Sequence, residues 1–377
     1  MVLLSAILIL FPYCLLFVLS YFWVDLNLTL ISWSPANQLI NTLKQLGYFN
    51  RPLSSRFYLA IIAFLFLIQI YLLFSRFIHR AKLKKLFLLA GIVVLIASLT
   101  YPFLSSDIFT YLFNSKIIWH YQQNPYLHSP QEFAPDHWLR FTHWTHKTTP
   151  YGPIWLIYAL VPAAFSFSRF ILNFYGLKLL NGLIFFMTGW LIFKIIKKDR
   201  RVFVFWFFNP FLLIELLVNA HNDLLMIALF FLALYCQQKK KSILALVTLL
   251  SSVAVKFVSA LAWPLIFFKK RFLWATLFVF CLLLTFAWQV DRFQPWYFTW
   301  AFFAFPLMEM NNFSWLTVFT FQAFLLIFKY YPFLATGSWE GTGFFLLFRV
   351  LLVALAFFFL SSLLNPEKLI NSLNRKS

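Results

Sequence analysis

Four groupings of polar residues stand out in an otherwise oily chain. Asp107 is the sole charged residue of "YPFLSSDIFTYLF" (101–113), at the start of a helix that Ser105 or Ser106 can cap. A helix N-terminus stabilises the anion, whereas nearby hydrocarbon raises its pKa. A carboxylate so placed suits removal of a proton from a hydroxyl; the plain alternative is a helix-start aspartate without chemistry. "NAHNDLL" (219–225) puts Asn219, His221, Asn222 and Asp223 within five positions, a cluster able to grip hydroxyl groups or orient a base, or simply a turn capped by Asn222. Glu215, about two helical turns before Asp223, is an acid within a span, which is expensive without a partner; a lysine such as Lys256 is one candidate. Lys256 itself, in "VAVKFVSA", is a lone cation fit to meet an anion, or else a snorkelling side chain. Arg140, Lys147 and Arg292 are alternative cations.

The elements that position these groups are membrane helices. Of 377 residues, 62% are hydrophobic and 11% charged, with mean hydropathy +0.81, against about 45–50% apolar content in soluble domains. The fold class expected is an all-α, polytopic integral membrane protein. Apolar stretches at 2–24, 57–77, 86–104, 177–196, 202–219, 223–236, 243–255, 257–268, 272–290, 296–308, 313–329 and 343–363 give about twelve transmembrane or half-helices. The first stretch is too long for a signal-peptide core and reads as a retained span. A further piece at 152–165 reads as re-entrant or interfacial. Cys14, Cys236 and Cys281 lie in apolar runs and read as core residues, which argues against a disulfide framework or zinc site.

Net charge +20 would suggest nucleic acid in a soluble protein. Here most of the 31 Lys and Arg fall in short runs between apolar stretches, at 76–85, 194–201, 239–241, 269–271 and the tail from Lys368. The positive-inside rule puts these runs, and both termini, in the cytoplasm of a multi-pass cell-membrane protein, and nucleic acid is excluded as a partner. Asp25, Asp107, Glu132, Asp136, Asp223, Asp291 and Glu340 then gather at the outer face, with Glu215 about a turn below it. Glu309 stays inside. The outer loop 105–150 is where chemistry belongs. The helix that starts it carries Thr110, Asn114, Lys116 and His120 among apolar residues, which suits an interfacial helix. His137, His143 and His146 match no zinc spacing, and the Trp and Tyr around them suit stacking or interfacial anchoring, as does "PWYFTW".

The order "SSDIFTYLF", "NPYLHSP" with Tyr126, "TTPYGPIWLIYAL" with Tyr151, "NAHNDLL", "VAVKFVSA" and "FQPWYFTWAFFAF" resembles the GT-C superfamily of multi-spanning glycosyltransferases. Within it, the chain is most similar to bacterial polyprenol-phosphate-mannose-dependent mannosyltransferases, with a weaker likeness to the first mannosyltransferase of GPI-anchor synthesis. The resemblance covers roughly 86–310 and implies a GT-C-like catalytic module there, between N-terminal membrane helices (1–85) and a C-terminal membrane segment with a short cytoplasmic tail (311–377). It implies a polyprenyl-phosphate-sugar donor, a glycan or glycolipid acceptor, an extracytoplasmic active site, and Asp107 as general base. Some relatives have Asp-x-Asp at that point; Phe109 stands in the second position here, so a divalent metal is not favoured and no cofactor is expected. Inverting transfer from a sugar phosphate needs one base and a cation for the departing phosphate, for which Lys256 is the first candidate. Tyr126, Tyr151, His221, Asn222, Asp223, Glu215 and Arg140 complete the expected substrate-binding set. A lipid-linked sugar flippase or transporter is the rival reading. No protein partner is indicated.

Overall fold

The computed structural model describes residues 2–23, 33–196, 199–308, 310–338 and 345–361; Asp25, Glu309, Glu340 and the tail from Lys368 lie outside the described residues. The described chain is all-helical: α1 (Val2–Ser20), α2 (Ser34–Leu46), α3 (Arg51–Phe74), α4 (Arg76–Arg80), α5 (Leu83–Leu99), α6 (Asp107–Trp119), α7 (Pro153–Phe165), α8 (Phe170–Ile195), α9 (Arg200–Phe207), α10 (Pro210–Leu213), α11 (Asp223–Gln238), α12 (Ser242–Val255), α13 (Pro264–Phe267), α14 (Arg271–Trp288), α15 (Asn312–Thr336) and α16 (Phe345–Ser361).

Among the described residues, five helices are by length and composition able to cross a membrane, or six if the bent pair 200–207 and 210–218 is one span. The expected dozen counted full crossings and half-helices together, and its exact number is not confirmed. The shorter apolar pieces Pro153–Phe165, Asp223–Gln238, Ser242–Val255 and Phe257–Phe267 are helical but fall below the length a full span needs, while Phe345–Ser361 is at its lower limit. The stretch 296–308 is a 3₁₀ helix, Pro295–Phe303, followed by a second short one, Phe305–Leu307.

At the centre, α8 packs on α5 and α11, and α11 on α12; α3 with α15, and α14 with α16, form the flanks. The break between α9 and α10 follows from Pro210, which has no N–H to donate and holds Asn209 extended. The Asn209 side chain accepts from the N–H of Phe211 at 3.0 Å and of Leu212 at 3.5 Å. The Phe208 carbonyl, deprived of its partner along the helix, accepts instead from the Tyr13 hydroxyl at 3.1 Å. Thus α1 repairs the broken ladder. After α10 the chain widens into a single π-helical turn, Ile214–Val218, before Ala220 takes a left-handed conformation (φ 58°) and α11 begins.

Two further features depart from expectation. The sequence suggests that α6 lies in the membrane interface, but Ile108 through Ser115 are all buried, because α7 and the loop segment His137–Phe141 pack over it. Helix α2 was not anticipated; it packs against Tyr21–Trp23, where Gly47 lies so close to Phe22 that a Cβ would sit 2.2 Å from that side chain.

Candidate active site

The polar residues gather where α6, the π-helical turn, the start of α11 and the 3₁₀ helix 295–303 meet. Asp107 opens α6, its N–H donating to Ser105 Oγ at 3.3 Å; Ser106 makes no side-chain cap. Asn114 Nδ2 donates to Thr149 Oγ1 at 3.0 Å, and the Tyr111 ring meets Tyr151 and Trp155 edge-on at 4.7 and 4.8 Å. These contacts tie α6 to the end of the loop and to α7.

His221 stands between two acids. Its Nδ1 lies 3.3 Å from Asp107 Oδ2 and its Nε2 lies 3.4 Å from Glu215 Oε2, the latter without the alignment of a hydrogen bond. Its ring stacks on Trp296, centroids 4.6 Å apart, and its N–H donates to the Glu215 carbonyl at 3.2 Å across the π-helical turn. Glu215 accepts from the Tyr330 hydroxyl at 2.9 and 3.1 Å and from Asn219 Nδ2 at 3.0 Å. The Glu215 and His221 side chains are 0% and 1% exposed, whereas Asp107 keeps 24%. Burial alone pushes the His221 imidazole toward its neutral form, but the adjacent carboxylates of Asp107 and Glu215 outweigh it and raise the pKa to about 9.

Beside this row lies a second pair. Lys256 Nζ donates to both oxygens of Asp223, at 2.9 and 3.1 Å, and Trp300 Nε1 donates to Asp223 Oδ1. The ammonium also lies over the Tyr297 and Trp300 rings, at 5.7 and 5.2 Å. Lys256 occupies an extended link (φ −157°) between α12 and the 3₁₀ helix Phe257–Ala262. The Gly152 position touches this link: a Cβ there would come within 2.0 Å of the Ala254 carbonyl oxygen. Tyr111 and Tyr297 each feel both Asp107 and Asp223, so the two pairs share one neighbourhood.

Of the residues expected from sequence, Asp107, Glu215, His221, Asp223, Lys256 and Tyr151 come together. Glu215 does not pair with Lys256: the lysine belongs to Asp223, and the glutamate takes Tyr330, Asn219 and His221. Asn222 makes no side-chain cap for α11. Tyr126 acts one layer out, its hydroxyl donating to the Tyr151 carbonyl at 2.7 Å. Arg140 lies apart, on the wall of a cavity of about 820 Å³ that reaches Ser105 and Ser106.

Sequence reasoning missed Tyr330, Trp296 and Trp300 as partners, and it missed Lys178. This fully buried lysine on α8 donates to the carbonyls of Leu217 and Val218, at 2.7 and 2.8 Å, which end the π-helical turn. Its signal was present: a lone cation inside an apolar span marks a functional or structural site. Tyr330 had no such signal, being 115 residues from its glutamate.

Asp107 and Glu215 face opposite nitrogens of one imidazole, so they do not converge on a common point. Among the described residues no group of three or more His, Cys, Asp or Glu is arranged to hold an ion.

Fold and site together define a polytopic helical membrane protein with a carboxylate and histidine centre at one end of its bundle. Residues 20–270 match the family described as alpha-(1->6)-mannopyranosyltransferase, N-terminal domain, and the chain belongs to that family. It is similar to alpha-(1->6)-mannopyranosyltransferase A of Corynebacterium glutamicum, 26% identical over 170 residues that cover 44% of this chain and 34% of the relative. The match thus spans about a third of that relative's length. No solved structure matches.

Proposed function

We propose that the chain is a membrane mannosyltransferase that moves a mannosyl group from a polyprenyl-phosphate donor to a hydroxyl of a lipid-linked or cell-envelope glycan, with inversion, on the extracytoplasmic side of the cell membrane. The family supports the sugar and the class of reaction. The observation that carries the mechanism is the contrast in access along the row Asp107, His221, Glu215: only Asp107 reaches solvent.

Asp107 accepts the proton of the acceptor hydroxyl as its oxygen attacks the anomeric carbon. The new carbon–oxygen bond forms as the bond to the phosphate oxygen breaks, and the phosphate leaves with that electron pair. No second acid is needed, since a phosphate leaves readily once its charge is met. His221, held protonated by two carboxylates, fixes the direction of Asp107 toward the arriving hydroxyl. Asp223, Lys256 and the indole of Trp300 offer one acceptor and two donors side by side, a combination that suits sugar hydroxyls, with Tyr297 and Trp300 as apolar platforms.

The test is transfer of labelled sugar from a panel of polyprenyl-phosphate sugars by purified protein. With Asp107→Asn, turnover should fall by about 10²–10⁴-fold while donor binding persists. Undiminished turnover would reject Asp107 as base. Sugar-lipid movement across proteoliposomes, with no transfer from any donor, would establish the flippase instead. Because the two acids face away from each other, chelators should leave transfer intact; inhibition reversed by added magnesium or manganese would bring a metal into the reaction.

A further inference from the structure

The carboxylate of Glu215 is held by a helix far along the chain. The Tyr330 hydroxyl of α15 is shared between Oε1 at 2.9 Å and Oε2 at 3.1 Å, and Asn219 Nδ2 donates to Oε2 at 3.0 Å. Tyr330 is fully buried. The Tyr58 hydroxyl of α3, equally buried, donates at 3.1 Å to the Leu326 carbonyl, one turn earlier in α15, and so fixes the turn from which Tyr330 projects. His221 Nε2 stands 3.4 Å from Glu215 Oε2, yet it has no aligned hydrogen bond among the described residues. A buried carboxylate facing a protonated imidazole at that distance has every reason to form one, since charge-assisted bonds are roughly twice as strong as neutral ones. Here the oxygens are already directed at the tyrosine and the amide. Tyr330 lies outside residues 20–270, so the family likeness gives it no role.

We infer that Tyr330 is a positioning residue that keeps Glu215 short of a hydrogen bond with His221, leaving the imidazole turned to Asp107. Its catalytic meaning rests on the proposed transfer with Asp107 as base. A released Glu215 would close on Nε2 and draw the ring away from Asp107 Oδ2, which is 3.3 Å from Nδ1. The base would lose the contact that directs it, and a small misplacement of a reacting group is costly. The Asp223, Lys256 and Trp300 group lies off this path, so turnover and binding should respond differently.

The experiment compares wild type with Tyr330→Phe, which removes the hydroxyl and keeps the ring. In transfer, kcat should fall by about 10–100-fold while KM stays within about twofold. In a Glu215→Gln background the same substitution should add no further loss, because it acts through that carboxylate. A second measurement needs no substrate. Protonated His221 stabilises the fold fully below about pH 6.5, and that contribution is lost as pH rises through about 9, so the unfolding midpoint in detergent falls there. In Tyr330→Phe the fall should move to higher pH by about half a unit or more, since Glu215 then bonds the imidazolium directly. Tyr58→Phe, which frees the turn bearing Tyr330, should move it the same way. The other titratable groups around the row remain in Tyr330→Phe: Asp107 and Tyr111 on α6, Tyr151, Tyr58, Lys178, Asp223 with Lys256, and Tyr297. The helix α5, which also packs on the turn, carries only Lys84 and Lys85, in its first turn. A fall that stays in place or moves to lower pH, or losses of kcat that add across the two substitutions, would overturn the inference. If the fall moves upward yet no donor supports transfer, the hold of Tyr330 on Glu215 stands and the transfer reading fails.

Discussion

At the scale of single residues, the site depends on a proton held where burial alone would remove it. The His221 pKa, raised from 6.5 to about 9, means that its contribution to stability is complete below about pH 6.5 and is lost as pH rises through 9. Thermal unfolding in detergent should therefore show a drop in midpoint between those values. In His221→Gln that drop should vanish, and an identical pH profile would refute the protonated bridge. Lys178 offers a second test. Replacing it by Met strands the Leu217 and Val218 carbonyls, at a cost of about 1–3 kcal/mol for buried unsatisfied groups. Because the turn it holds carries Glu215 and leads into His221, kcat should fall more than KM changes. A loss of stability with unaltered kcat would make Lys178 merely structural.

At the scale of elements, the glycine of "TTPYGPIWL" is required by space and not by conformation. Gly152 has φ −66°, open to any residue, yet a Cβ would collide with the Ala254 carbonyl. Gly152→Ala should push α7 away from the end of α12, shift Lys256 relative to Asp223, and lower both activity and unfolding temperature. Wild-type behaviour in that variant would mean that the two helices yield freely. The motif was legible in the sequence, since Gly-Pro before an apolar run reads as a helix start. Its partner was not, because nothing local in "YGP" encodes contact with a carbonyl a hundred residues on. The same holds for α6. Its polar residues Thr110, Asn114, Lys116 and His120 suggested an interfacial helix, but in the structure Thr110 and Asn114 turn inward, Asn114 onto Thr149. Composition reveals that a helix is amphipathic only when its polar groups face water.

At the scale of the whole molecule, charge and hydropathy made the membrane setting, the long polar loop and the ends of most helices readable before any coordinates. They left open which apolar stretches are full crossings, because a window of apolar residues does not distinguish a full crossing from a helix that stops halfway against protein. The distribution of basic runs predicts sidedness. A cysteine placed at Lys147 should react with an impermeant thiol reagent in intact cells, and one placed at Lys240 should react only after the membrane is opened. The opposite pattern would invert the topology and move the site to the cytoplasm.

The buried lysine on α8 also has a bearing on biosynthesis. Lys178 lies roughly 12 Å along its helix, at about 1.5 Å per residue, and its two acceptors belong to residues about forty positions later in the chain. Helix α8 must therefore leave the ribosome before the groups that satisfy its lysine exist, and a cation at such depth costs about 2.5–3.5 kcal/mol on insertion scales. Stable lodging of α8 in the bilayer waits for α9, α10 and the turn after them, so the last step in placing this helix coincides with assembly of the turn that bears Glu215 and leads to His221.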